Sequence, residues 1–144
     1  MDWALLRAQA NQLLEQDARL EQLVRLVGAE ALPDRQRWVL LAARLLKEGF
    51  LQQNALHETD AYCVPKKQAR LLAFYLQLFE LGRDLIEAGV PLLRLQERLD
   101  LPFLLRLKET IPNETPEQLE AIWLDLKTSL LGLRESGGGH ARLS

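Results

Sequence analysis

Apolar residues along the first part of the chain recur in steps of three and four: Trp3, Leu6, Ala10, Leu13, Leu20, Val24 and Val27. That spacing lays one stripe along a helix, interrupted only by Asp17. Gly28 follows at once, and glycine tolerates the left-handed conformation in which helices often end, so the pattern predicts a first helix over 3–27. Beyond the short turn Gly28-Ala29-Glu30-Ala31-Leu32-Pro33-Asp34, a second stripe of Trp38, Leu41, Ala42, Leu45, Leu46 and Gly49 predicts a helix from Asp34 to about Phe50. Two antiparallel helices with so short a link form an αα-hairpin, and this turn is its tip.

From Leu51 to Val64 the periodicity lapses and polar residues dominate, as in a loop or a helix end. Pro65 suits a first helical position, and the stripe Leu71, Leu72, Tyr75, Leu78, Phe79, Gly82, Leu85, Ile86 predicts a third helix closed by Gly89. Short helical pieces are expected around Pro91 to Leu99 and Leu101 to Lys108. Thr115 as N-cap, Pro116 at the first position and Gln118 completing a capping box predict a last helix running to about Glu135. The glycine-rich end has little to bury, so the chain divides into a helical bundle over 1–136 and a disordered tail over 137–144.

Composition agrees with helix. Leucine, which keeps its rotamer freedom in helices, makes up about a quarter of the residues, and β-branched strand formers are scarce. The expected fold is all-α, a bundle of five to six helices beginning with the long hairpin. At 144 residues, 48% of them hydrophobic, the chain can bury one full core. Its net charge of −2 gives nucleic acid or an anionic membrane no electrostatic reason to bind. A single cysteine, Cys63, excludes an internal disulfide framework and fits a reducing, cytoplasmic setting. No apolar run approaches the roughly 18 residues that a membrane span needs.

Autonomous chemistry is not encoded. There is no GxxxxGK[ST] phosphate loop, since the one glycine cluster lies in the tail. His57 and Cys63 have no local signature of a base and nucleophile, and a lone cysteine is usually a small buried hydrophobe. His57, Glu58 and Asp60 lack further ligands at metal-binding spacing. No catalytic or metal residue is therefore assigned. Two features stand out from an ordinary bundle: the acidic hairpin tip and the amide-rich segment Phe50-Leu51-Gln52-Gln53-Asn54-Ala55-Leu56, whose Gln and Asn side chains can both donate and accept.

Those two features carry a resemblance. The strings Arg25-Leu26-Val27-Gly28-Ala29-Glu30-Ala31-Leu32-Pro33 and Phe50-Leu51-Gln52-Gln53-Asn54-Ala55, then His57-Glu58-Thr59-Asp60-Ala61-Tyr62-Cys63 and Lys67-Gln68, resemble the C-terminal helical region of the catalytic A subunit of V/A-type ATPases. The similarity covers roughly Asp2 to Leu133. It implies a chain cut from a longer subunit, with Met1 an added start, whose upstream nucleotide-binding domain holds ATP or ADP with Mg²⁺; a stand-alone divergent relative is the alternative. It further implies that Glu30, Ala31, Leu32, Pro33, Asp34 and Arg35 form the tip that pushes on the central stalk, and that Gln53, Asn54, Ala55 and Leu56 edge the adenine pocket. Leu56 stands where the family has phenylalanine.

The function implied is coupling of ATP hydrolysis or synthesis to stalk rotation and proton or sodium transport, with no catalysis and negligible ATP binding by this chain alone. Implied partners are the upstream domain, the central-stalk subunits and the non-catalytic B subunit, with neither nucleic acid nor direct membrane insertion. The place implied is the cytoplasm, peripheral to the membrane through the ATPase complex. The rival reading is a free-standing helical protein–protein interaction module.

Overall fold

The computed structural model describes the backbone of residues 2–52 and 65–143 and, except at Pro65 and from 136 onward, their side chains. Helix is the only regular structure among the described residues, as the leucine-rich composition predicts. The elements are α1 (Trp3–Val27), α2 (Asp34–Leu46), α3 (Pro65–Glu87), three short helices α4 (Leu92–Glu97), α5 (Leu101–Leu105) and α6 (Leu107–Thr110), and α7 (Gln118–Leu143). Helix α1 starts at Asp2, whose carboxylate accepts from Leu5 N–H at 3.2 Å, and stops at Gly28 as the sequence predicts.

Helix α2 departs from expectation at its end. The α-helical part stops at Leu46 and a wider π turn, Lys47–Leu51, continues it. Within it Gly49 lets Tyr75 of α3 approach closely, since a Cβ at Gly49 would overlap the Tyr75 hydroxyl. That hydroxyl donates to the carbonyl of Leu104 in α5, so one side chain joins the π turn, α3 and α5. The π turn also aims Lys47 at Asp17, the residue that breaks the α1 stripe. Asp17 is buried, and its carboxylate accepts from Lys47 Nζ at 2.8 Å, while Glu21 accepts from the same ammonium at 3.2 Å. The interruption of the stripe is thus a cross-helix tie.

Helix α3 is the centre of the bundle. Its residues Leu71 to Leu76 are buried without a break, where the stripe predicts one buried face. Helices α1 and α2 cover one side and α7 the other, with Phe74 meeting Trp123 edge-on at a 5.7 Å ring separation. The tightest joint is between α2 and α3, where Trp38 is fully buried and its indole Nε1 donates to the Phe79 carbonyl at 2.9 Å. Gly82 makes room for that ring, since a Cβ there would overlap the indole carbons.

The far end of the bundle holds the buried Lys67, which donates to the Lys108 carbonyl at 2.7 Å and to Asn113 Oδ1 at 2.9 Å. Helix α7 begins at Gln118, two residues later than the capping-box reading. Thr115, Pro116 and Glu117 form a tighter lead-in, with i→i+3 bonds from Gln118, Leu119 and Glu120. The helix then runs to Leu143. Each added residue extends a ladder already nucleated upstream, although Gly137 to Gly139 each cost about 1 kcal/mol relative to alanine.

Two buried or tied groups set an alkaline limit on stability. Burial pushes the Tyr75 hydroxyl well above its ordinary pKa of 10.0. The hydrogen bond from Lys47 to Asp17 holds the ammonium above its ordinary 10.5. In both cases the proton is bound more tightly in the folded chain, so the stability is fully present below the unfolded pKa, near pH 10, and is lost as pH rises beyond it. Urea unfolding between pH 9 and pH 11.5 should show the native chain losing stability faster than Tyr75→Phe, by about 1 kcal/mol per pH unit above roughly pH 10. Parallel curves would mean that Tyr75 ionises in the folded chain as readily as in the unfolded one.

Candidate functional site at the hairpin tip

The tip is built by backbone geometry more than by charge. Gly28 has φ 86° and ψ 151°, a region nearly closed to other residues, and this turns the chain out of α1. One 3₁₀ turn, Ala29–Ala31, follows, closed by bonds from Ala31 N–H to the Gly28 carbonyl and from Leu32 N–H to the Ala29 carbonyl. Pro33 then begins α2, accepting from both Gln36 and Arg37. A Cβ at Gly28 would meet nothing within 4 Å, so Gly28→Ala tests backbone strain without a packing effect. Its expected cost is about 1–3 kcal/mol of folding stability by denaturant titration; a change within about 0.5 kcal/mol would show that the turn does not need glycine.

Of the six tip residues named from the sequence, four are exposed: Glu30, Ala31, Pro33 and Arg35. Leu32 is buried and anchors the turn. Asp34 is half-buried, and its carboxylate accepts from Leu92 N–H at 2.9 Å. It thereby caps α4, whose own N-cap residue, Pro91, makes no side-chain cap bond. Asp34 thus ties the tip of the hairpin to the segment after α3.

The structure adds apolar residues at the tip, of which only Val27 lies on the stripe read from the sequence. No residue of α1 after Asp17 is buried. Leu26 is 83% exposed, Val27 54% and Leu23 37%, so the tip carries an apolar surface. The physical reason is local composition: across the short turn the end of α1 faces the start of α2, and the first four residues of that helix, Asp34-Arg35-Gln36-Arg37, are all polar or charged. The signal is present in the sequence, where Leu26-Val27 adjoin a glycine with no apolar residue of α2 opposite them until Trp38.

Residues 1–92 match the family model for the C-terminal domain of V and A type ATP synthase, a span that takes in the hairpin, the π turn, α3 and the Asp34–Leu92 brace. The chain belongs to this family. Similar proteins include the A subunit of the A-type ATP synthase of Staphylothermus marinus, 37% identical over 98% of this chain and 24% of that protein. The V-type ATP synthase alpha chains of Halothermothrix orenii and Nitrosococcus oceani are 42% and 44% identical over 78% and 83% of this chain. The chain spans 19% to 24% of the length of these relatives.

The tip is fully described. Gln53, Asn54, Ala55 and Leu56, with His57, Glu58, Asp60 and Cys63, lie outside the described residues. Among the described residues no His, Cys, Asp and Glu side chains gather as a metal site, and no helix is long and apolar enough to cross a membrane.

Proposed function

We propose that this domain is the mechanical element of the catalytic subunit of a rotary V/A-type ATP synthase, with its hairpin tip bearing on the central stalk. In this reading the upstream nucleotide-binding domain holds ATP or ADP with Mg²⁺ and does the chemistry, and this chain supplies no catalytic residue. The neighbouring partners are that domain, the stalk and the B subunit. Closure over nucleotide is passed through the bundle to the tip, and so to stalk rotation and proton or sodium transport. The complex lies on the cytoplasmic side of the membrane, and this domain is peripheral to it. The observation that carries the reading is the unburied outer half of α1 ending in exposed Leu23, Leu26 and Val27 on a turn fixed by Gly28 and braced through Asp34.

Charge plays a minor part in this contact. An exposed acid against a basic shaft contributes at most about 1 kcal/mol, while fully burying a leucine contributes about 1.5–3 kcal/mol. A pull-down of the central-stalk subunits by this chain tests the reading. Retention is expected, with Glu30→Lys weakening it no more than about fivefold, the equivalent of 1 kcal/mol. Failure to retain the stalk in any nucleotide state of the whole subunit would favour a free-standing interaction module instead.

A further inference from the structure

A groove of about 310 Å³ lies where α1, α2 and α3 meet; it takes in Arg35 of the tip but none of Leu23, Leu26 and Val27. Each helix contributes one arginine to it: Arg19, Arg35 and Arg83. Gln16 and Gln36 stand beside them, and the apolar lining comes from Leu20, Val39 and Phe79. No carboxylate lines the groove. Neither Arg19 nor Arg35 makes an ion pair among the described residues, and Arg83 has only the loose 3.7 Å contact with its exposed neighbour Asp84. In a chain with more acids than bases, three guanidinium groups share one groove without a carboxylate in its lining.

The chemistry of the groove selects among anions. The Arg83 guanidinium sits over the Phe79 ring, 5.6 Å from its centroid, and Phe79 is otherwise buried, so no aromatic face is open to stack a nucleobase. The floor instead offers aliphatic and ring-edge contacts. Guanidinium forks match carboxylates in two-point hydrogen bonds, and glutamine amides add further donors. We propose that this groove docks an amphipathic acidic helix of a partner protein, its leucine-type side chains on the Leu20–Val39 floor and its glutamates on the three arginines. The inference does not depend on the tip bearing on a stalk, and its test needs only this chain.

Fluorescence anisotropy with a labelled helical peptide of Leu-Glu-Glu-Leu repeats, titrated with the full chain at low salt, provides that test. Saturable binding is expected despite the net negative charge of the chain, with at least tenfold weaker binding by the peptide in which glutamine replaces glutamate. The double variant Arg19→Glu, Arg83→Glu should weaken binding at least tenfold with its circular dichroism unchanged, and Arg35→Gln should weaken it less. Lys127→Glu with Arg134→Glu, on exposed positions of α7, should leave it unchanged. Equal binding of the glutamine peptide, equal losses in the α7 variant, or no saturation would overturn the proposal. So would displacement of the peptide by inorganic phosphate or ATP at lower concentration than the peptide itself, which would make the groove a small-anion site.

Discussion

Replacing Trp38 by alanine is expected to lower folding stability by about 3–5 kcal/mol, the range for deleting a buried large aromatic side chain. Trp38 has no exposed surface, lies against Gly82 and donates its indole N–H to the Phe79 carbonyl, so it fills the joint between α2 and α3 without slack. Since a domain's whole stability is about 5–15 kcal/mol, the loss would be plain in a urea titration. The joint can be attacked from the other side. Gly82→Ala gains about 1 kcal/mol in helix propensity but pushes a methyl into the indole, an overpacking cost of about 1–3 kcal/mol. In the Trp38→Ala background that methyl enters vacated space, so the two changes should be strongly non-additive. A Trp38→Ala cost below about 1 kcal/mol would show that α2 and α3 repack freely, and a freely repacking joint could not transmit force to the hairpin.

The second large effect is functional. Leu26→Glu with Val27→Glu should leave folding stability within about 0.5 kcal/mol, because both side chains are mostly exposed. The same pair should weaken stalk binding about a hundredfold. Failing to bury these two residues forfeits about 3 kcal/mol or more, and each 1.4 kcal/mol is tenfold. In the assembled complex the expected signature is ATP hydrolysis that continues with little ion transport. The proposed lever needs contacts that differ between open and closed states, and in that proposal the apolar tip would supply them by position rather than by charge. Unaltered stalk binding by the double variant would move the contact away from the tip.

Much of this arrangement is legible in the chain. Gly28 ends α1, Pro65 begins α3 and Gly89, at φ 104°, follows its end, because these residues act through their own backbone and need no distant partner. What periodicity misses depends on partners far along the chain. Asp17 reads as a flaw in a stripe until Lys47 is seen 2.8 Å away. Asp34 reads as a tip charge until Leu92, fifty-eight positions on, is seen to donate to it. Phe74 and Leu76 fall off the α3 stripe, yet they are buried because α3 is covered on more than one side. Val27 fits the α1 stripe and is exposed, because a stripe is buried only where its neighbours are apolar, and the start of α2 is polar. The capping box at Thr115 specifies a helix start correctly in kind but not in register, since a tight turn takes up the first residues.

The central claim, that the hairpin tip meets the central stalk, is tested most directly by disulfide trapping in the assembled complex. A cysteine at the exposed Ala31 would be paired with cysteines placed along the stalk, with Cys63 replaced by serine. Oxidation is predicted to link the Ala31 position to the stalk and to stop ATP-driven rotation until the bond is reduced. Absence of any cross-link from this position in every nucleotide state, with cross-links forming instead from the opposite end of the bundle at Asn113, would contradict it.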